Sequence, residues 1–353
     1  MFRLRSWVRK LSHQLSLPAP RIRRPRTYPP GKRVQPRLED LEPLMLLSTV
    51  TWTGAAGDNN WDTGGNWSTG NTPGAGDDAV INVASPTTIT HSAAVTDTIN
   101  SLTSNAAIVL SGGTLNVNTT LNDSAGLTLQ GGTLGNATVQ SGTTLTGTAA
   151  GGTLSGVANF GILDLQTNNN AAVTVTNGLL ISGSNAISVG NTSGTTHGIL
   201  TFSGSQTVTG MGVITFGASS SNQINLDSTL TIAAGDIISD GQGTIQGGSG
   251  TTLVNQGFLD GGGTISVGTY TQTGGSTTLT GGTLKSASGT IQINGGSLGG
   301  TGTLGSNVTI ATGATLSLGQ VSGSLAVAGG LLLDGSLNDT IAGTQIDSAG
   351  GYE

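Results

Sequence analysis

Asp240 and Asp260 are the two residues in this chain whose type and spacing come closest to a chemical site. They open two similar segments, which read Asp-Gly-Gln-Gly-Thr-Ile from Asp240 and Asp-Gly-Gly-Gly-Thr-Ile from Asp260. If these segments stack, the two carboxylates form a weak candidate site for a cation, and Asp236 is a third carboxylate nearby. The alternative, which we favour, is that each aspartate opens an Asp-Gly turn and faces solvent.

Residues 51–353, called the body below, offer few other groups for catalysis. Its only cationic side chain is Lys285, and its two histidines, His91 and His197, are isolated in the sequence, which predicts surface or loop positions. The segment 300–305 matches a dinucleotide fingerprint, but a strand-like stretch follows it instead of the required helix. The chain has no cysteine, which excludes disulfides and thiolate metal sites. We therefore predict no cofactor, no metal and no enzymatic activity.

Three of the four tryptophans fall within sixteen positions, at Trp52, Trp61 and Trp67. A stacked β-structure has an open end with unpaired backbone groups and an exposed core, and bulky indoles can cover that end. The same side chains on a surface could instead stack on sugar rings. Because clustered aromatic residues bury a large apolar area, we favour capping and keep glycan contact as the alternative.

The body is repetitive, and the repeat predicts the elements that position these residues. The pattern Leu-x-Gly-Gly-Thr-Leu occurs three times, and two ladders of apolar residues recur at spacings of 19 or 20, namely Leu115, Leu134 and Leu154, and then Ile245, Ile265, Leu284 and Leu304. Short Thr-, Val- and Ile-rich runs between glycine turns indicate strands. A period near 20 predicts an all-β parallel β-helix, a solenoid with about 19–20 residues per coil. We expect about thirteen coils, and we assign no register to the stretch between Leu154 and Ile245.

The charges divide the chain into a basic leader and an acidic body. Eleven of the twelve Lys and Arg residues lie at or before Arg37, whereas the body carries one cation and fifteen carboxylates. We predict a disordered basic leader over 1–50, a Trp-rich cap segment over 51–80 and a β-helix repeat region over 81–353, cut short at its C-terminal end. The acidic body argues against nucleic-acid binding, and no apolar run has the ~20 residues that a membrane-spanning helix needs.

Two segments resemble parts of known bacterial surface proteins. Residues 38–48 resemble the Leu-Glu-Pro-Arg-x-Leu-Leu-Ser motif of large planctomycete surface proteins, which is taken to mark export; Leu44 stands where that family has Arg. The matching residues are Leu41, Glu42, Pro43, Leu46, Leu47 and Ser48. Residues 51–81 resemble the opening segment of proteins with autotransporter-associated β-strand repeats, where Trp, Asn-Trp, Pro and Gly-Asp precede the first coils. This second resemblance implies a right-handed β-helix.

Together these features predict a secreted or cell-surface bacterial protein that acts as a structural stalk or an adhesin-like segment. Extracellular glycans and other envelope proteins are the partners that such a location would offer. Two alternatives stay open. One is a carbohydrate-binding module that uses Trp52, Trp61 and Trp67; the other is a polysaccharide-degrading β-helix enzyme that starts from Asp240 and Asp260.

Overall fold

The structure is a computed structural model, and it describes residues 48–84, 86–239, 241–318 and 323–339. The basic leader predicted from sequence lies outside the described residues, apart from its last three positions. Within the described ranges the chain forms 35 strands and one short 3-10 helix, η1 (Gly64–Asn66), with no α-helix. No helix in those ranges is long and apolar enough to cross a membrane.

The strands are short, and every one of them pairs in parallel with strands one coil away. In chain order they are β1 (Ser48–Thr51), β2 (Asp77–Ile81), β3 (Thr88–His91), β4 (Thr96–Ile99), β5 (Ser101–Ser104), β6 (Ala107–Leu110), β7 (Thr114–Val117), β8 (Thr120–Asp123), β9 (Leu127–Leu129), β10 (Thr133–Gly135), β11 (Thr138–Val139), β12 (Thr144–Gly147), β13 (Thr153–Asn159), β14 (Ile162–Leu165), β15 (Ala171–Ile181), β16 (Gly183–Val189), β17 (Gly198–Phe202), β18 (Gln206–Thr209), β19 (Gly212–Phe216), β20 (Gln223–Leu226), β21 (Thr229–Ile232), β22 (Ile237–Ser239), β23 (Thr244–Gly247), β24 (Thr252–Asn255), β25 (Phe258–Gly261), β26 (Thr264–Val267), β27 (Thr269–Gln272), β28 (Ser276–Ser286), β29 (Thr290–Ile293), β30 (Gly296–Leu304), β31 (Asn307–Ile310), β32 (Ala314–Ser317), β33 (Leu325–Val327), β34 (Leu331–Leu333) and β35 (Ser336–Asn338).

The pairings arrange the strands as three parallel faces. Face A begins with β1, β2 and β5, face B with β3 and β6, and face C with β4 and β7, and each coil visits A, B and C in turn. The longer strands β13, β15, β28 and β30 bend round a corner and contribute to two faces. The predicted parallel β-helix is confirmed, with about 12 turns rather than the thirteen expected.

Alternation along each strand explains the composition. Leucine, isoleucine and valine occupy inward positions and are buried, as in β6, whose pattern alternates half-buried and buried residues. Threonine and asparagine take many of the outward positions, because neighbouring residues of a strand point to opposite faces. The core is therefore one continuous stack of aliphatic side chains.

The repeated Leu-x-Gly-Gly-Thr-Leu pattern forms the corner from face B to face C. In its first copy Leu110 ends β6 and Leu115 lies in β7, and both side chains are fully buried. Gly113 has a φ of +60°, and a Cβ there would lie 2.2 Å from the carbonyl oxygen of Ala93 in the coil before. Glycine is therefore required by both the backbone conformation and the close approach of adjacent coils.

The two apolar ladders of the sequence belong to different inward columns of face C. The first column runs from Leu154 to Val175, Phe202, Leu226 and Gly247. The second column lies two positions earlier and joins Val173, Leu200, Ile224 and Ile245. Coils are also longer here, since Val175 and its partner Phe202 are farther apart in sequence than any two neighbours of the first ladder. No single spacing could connect Leu154 with Ile245.

Four corners from face A to face B each contain the same type of hydrogen bond. At each corner a buried polar side chain that ends a face A strand accepts the backbone N–H of the residue two positions later, as in an Asx turn. The acceptor and donor residues are Ser104 and Ala106, Asp123 and Ala125, Asn159 and Gly161, and Asn255 and Gly257.

Asp123 is the one ionisable group among these four corner side chains. Its Oδ2 is buried without a hydrogen-bond partner. Burial raises its pKa to about 6, against partial lowering by the N–H groups of Ala125 and Gly126. Because the folded-state pKa lies above the unfolded value of 3.8, this carboxyl lowers stability as pH rises from about 4 to about 6, and the cost stays constant above that range.

We predict that Asp123→Asn raises the thermal midpoint at pH 7.5, with a gain of about 2–3 kcal/mol at most, and that the gain disappears near pH 4. Asparagine already fills the equivalent corners at Asn159 and Asn255. Thermal unfolding of both proteins at pH 4 and pH 7.5 measures the difference. Asp260→Asn, at an exposed position, is the control. A gain of equal size at both pH values would contradict the assignment.

Candidate functional site at the tryptophan cap

Within the Trp-rich segment predicted over 51–80, residues 52–76 connect β1 to β2 and contain the three clustered tryptophans. From here on, residues 52–76 are called the cap segment. Their exposed fractions are 6% for Trp52, 0% for Trp61 and 2% for Trp67. The Trp67 ring meets Trp52 edge-on at 5.0 Å and Trp61 at 4.8 Å between centroids. The Nε1–H of Trp67 donates to the Trp61 carbonyl oxygen at 2.8 Å. The three indoles therefore form one buried cluster.

Hydrogen bonds between polar side chains hold the cap segment around this cluster of indoles. Asn66 is fully buried and donates from Nδ2 to Asp58 Oδ1 at 2.5 Å and to the Asn60 carbonyl oxygen at 3.0 Å. Its Oδ1 accepts the N–H of Ala56 at 3.0 Å. Hydrogen bonds from the Asn60 N–H, Thr63 and Asn66 lower the pKa of Asp58. Asp58, Asn60 and Asn66 therefore stabilise the conformation of the cap segment.

The cap segment adds one further rung to face B ahead of β3. The N–H of Trp61 donates to the Thr90 carbonyl oxygen at 2.9 Å, and the N–H of Thr90 donates to the Asn59 carbonyl oxygen at 3.0 Å. Asn60 and Thr90 form a parallel bridge, which brings Trp61 beside His91, with 6.3 Å between the ring centroids. Face A is extended in the same way, because Trp52 N–H donates to the Val80 carbonyl oxygen at 2.8 Å.

Three ionisable side chains meet directly beneath this rung. His91 Nε2 lies 3.1 Å from Asp97 Oδ2 and 3.7 Å from Asp62 Oδ1. Asp62 belongs to the cap segment, His91 ends β3 and Asp97 lies in β4. The expectation that His91 is a surface or loop residue was wrong, because its side chain is fully buried. Sequence reasoning missed this cluster, which we call the Asp-His-Asp cluster.

Register places two cluster residues where later coils have leucine. His91 pairs with Leu110, and Asp97 pairs with Leu115, which are the two leucines of the first Leu-x-Gly-Gly-Thr-Leu motif. The first complete coil therefore replaces an apolar pair in the core by a histidine and an aspartate. Extending the spacing of 19 between Leu110 and Leu129 one coil towards the N-terminus could have found His91, whereas Asp97 lies 18 residues before Leu115 and outside the ladder spacing.

The two carboxylates of the cluster favour the protonated form of His91. Burial lowers the pKa of His91, but the hydrogen bond to Asp97, the negative charge of Asp62 and the hydrogen bond to the Gly112 carbonyl oxygen outweigh it, so the pKa is raised. His91 Nδ1 lies 2.9 Å from that carbonyl oxygen. Asp62 Oδ2 accepts the N–H groups of Ser92 and Ala93 at 3.2 and 2.9 Å. The cluster therefore joins the cap segment to two strands of the first coil.

Two of the three residues predicted from sequence as a cation site, Asp236 and Asp260, lie in the described part of the chain, and their environments differ. Asp240 lies outside the described residues. Asp260 is exposed on β25, and the pairing of Ile238 with Leu259 places Ser239 beside it in the preceding coil. Asp236 is buried at a corner, its Oδ1 accepts the Gly212 N–H at 2.9 Å, and burial raises its pKa. A cavity of about 30 Å³ lined in part by Asp260 is the size of a water site.

Six residues of the export-like motif and His197 were also singled out from the sequence. Leu41, Glu42, Pro43, Leu46 and Leu47 of the export-like motif are outside the described residues. Ser48 begins β1 and pairs with Asp77, to whose Oδ1 its hydroxyl donates. His197 is half-buried in a loop, as expected.

We predict that Trp61→Ala destabilises the protein by about 3–5 kcal/mol, because it removes a fully buried indole from the end of the core. Thermal unfolding followed by circular dichroism measures the loss. Phe160→Ala is the matched control, since that ring is 44% exposed and its removal costs less than about 1 kcal/mol. Equal effects of the two substitutions would show that the cluster does not stabilise the fold.

Comparison with known proteins gives no relative from which to transfer a function. No family model matches the chain, and neither a curated protein nor a solved structure matches it. The strand pairings identify the fold, and the functional assignment depends on the geometry of the cap segment and the coils.

Proposed function

We propose that this chain is a non-catalytic structural protein of the bacterial cell surface, a stalk or adhesin-like segment built from stacked coils. The observation that carries the proposal is the parallel ladder on three faces, which passes through about 12 turns and is covered at its first coil by buried tryptophans. Each coil contacts its neighbours along all three faces, so local opening must break pairings on two sides at once.

The surface of the coils supports this role. Its outward columns are rich in threonine, serine and asparagine, and the body has a single cation against fifteen carboxylates. Such a surface is hydrated and has a net negative charge, which favours solubility over association. Glycans or other envelope proteins would be its partners at the cell surface, and nucleic acid would be repelled.

A carbohydrate-binding module is the first alternative, and the burial of the tryptophans weighs against it. Sugar-stacking indoles need an exposed face, whereas Trp61 and Trp67 expose 2% or less of their surface. Their rings pack edge-on against each other and leave no flat platform.

A polysaccharide-degrading enzyme is the second alternative, and the described acids do not favour it. A glycosidase needs two carboxyl groups about 5–10 Å apart across a substrate groove. Asp260 is exposed on β25, and no other described carboxylate lines the cavity beside it. The buried carboxylates Asp123 and Asp236 are hydrogen-bonded to corner N–H groups.

Surface location follows from the resemblance of residues 38–48 to an export motif, and it can be tested in cells. We expect an antibody raised against the body to label intact bacteria that express the full chain. Labelling only after the cells are permeabilised would contradict the proposed location. A cytoplasmic protein probed in the same cells controls for leakage.

A glycan array with the full-length protein discriminates the stalk from the carbohydrate-binding module. We expect no binding that depends on the tryptophans, because none of them offers an exposed ring face. Trp52→Leu is the variant of choice, since Trp52 is the least buried of the three and leucine keeps an apolar filling. Specific binding that a folded Trp52→Leu protein loses would replace the stalk by a carbohydrate-binding function.

A further inference from the structure

The Asp-His-Asp cluster brings three metal-ligating side chains from three separate elements together at the junction of the cap segment and the first coil. We propose that Asp62, His91 and Asp97 bind a divalent transition-metal ion of the zinc type, which fastens the cap segment to the solenoid. The donors are Asp62 Oδ1, His91 Nε2 and Asp97 Oδ2, and they all lie within 4.8 Å of one another. This inference goes beyond the structural role proposed above.

The donor separations fit a common ion. Ligands that bind zinc at about 2.0–2.2 Å in tetrahedral geometry lie roughly 3.4 Å apart. The measured separations from His91 Nε2, 3.1 Å to Asp97 Oδ2 and 3.7 Å to Asp62 Oδ1, lie on either side of that value. The two separations from Nε2 therefore need to change by only a few tenths of an ångström, and the ligand atoms of all three residues lie within 4.8 Å of one another.

The groups behind the donors are arranged as in metal sites. A metal-bound histidine usually donates its other ring N–H to a carbonyl or carboxylate oxygen, which fixes the tautomer. His91 Nδ1 lies 2.9 Å from the Gly112 carbonyl oxygen, which leaves Nε2 as the donor atom towards the aspartates. The Oδ2 of Asp62 is held by the N–H groups of Ser92 and Ala93, which aims its Oδ1 at Nε2.

An orphaned oxygen distinguishes metal binding from a simple ion pair. Asp62 Oδ1 is buried and has no hydrogen-bond partner. At 3.7 Å it is too far from His91 Nε2 for a hydrogen bond, so an ion pair leaves a buried carboxylate oxygen unsatisfied, which is costly. A metal ion between the three donors satisfies this oxygen.

The surroundings hold the histidine in place and leave one side accessible. A Cβ on Gly113 would lie 3.0 Å from His91 Cε1, so the backbone of the next coil packs against the ring. The side chains of Asp62 and Asp97 are 13% and 17% exposed. This partial exposure gives the ion a path of entry and leaves room for water as a fourth ligand.

The test is zinc binding by the full-length protein after treatment with a chelator. We expect one equivalent of Zn²⁺ by isothermal titration and a rise of about 5 °C in the thermal midpoint at saturating metal. Asp62→Asn should keep the hydrogen bond to the Ser92 and Ala93 N–H groups through its Oδ1 while removing the ligand. It should weaken zinc binding at least about 100-fold, whereas His197→Gln should bind like the wild type.

Two results would overturn the proposal. One is the absence of zinc binding and of a thermal shift in the wild-type protein, which would leave the cluster as an ion pair. The other is equal binding by the wild type and Asp62→Asn, which would mean adventitious binding elsewhere. His91→Leu, which restores the leucine of the later coils, reports the fold independently: it should give wild-type circular dichroism and no zinc-dependent shift.

Discussion

In a parallel β-helix, the backbone N–H and C=O groups of the strands form their hydrogen bonds with the neighbouring coils. The first coil therefore needs a further rung that continues the ladder. On face A this rung is β1, which Trp52 lengthens by one residue, and on face B it is formed by Asn60 and Trp61 of the cap segment. Its indoles then cover the apolar core that the first rung would expose. At the other end of the described ladder, β34 and β35 present leucines that are 37–53% exposed, among them Leu332 and Leu337.

The cap segment also changes the chemistry of the core below it. Most inward positions of the coils are aliphatic, but the first coil places His91 and Asp97 at positions that later coils fill with Leu110 and Leu115. Buried ionisable groups cost solvation free energy unless they are paired or bound to an ion. His91 is paired with Asp97, and Asp62 of the cap segment accepts the Ser92 and Ala93 N–H groups beside them, so the cap and the first coil depend on each other. This mutual dependence is a means of fixing the position of the cap on the ladder.

Much of the fold could be predicted from the sequence, because the coils repeat at a nearly constant length where their corners are short. The register between Leu154 and Ile245 could not be assigned from the sequence, and the reason is physical. The two ladders follow different inward columns of face C, which lie two positions apart. The coils are also longer there, as the wide sequence gap between the paired Val175 and Phe202 shows. Equal spacing is then no guide, although the inward and outward alternation continues.

The candidate site was harder to predict than the fold. The tryptophans could be found because they are rare and clustered, and their burial supports the capping interpretation over glycan contact. His91 looked isolated because its partner Asp62 lies far from it in sequence, in the cap segment before β2. Only the stacking of coils brings them together. Of the carboxylates that repeat in sequence, Asp240 lies outside the described residues, and Asp260 is exposed on strand β25 instead of opening the expected Asp-Gly turn.

The central claim is that the cap segment is an integral rung of the ladder, and hydrogen exchange measured by mass spectrometry tests it most directly. The account predicts that peptides containing the Trp52 and Trp61 amides exchange as slowly as those from mid-body strands such as β17 and β20. Rapid exchange of the Trp61 amide within an otherwise protected body would contradict it, and would mean that the first coil is stable without its tryptophans.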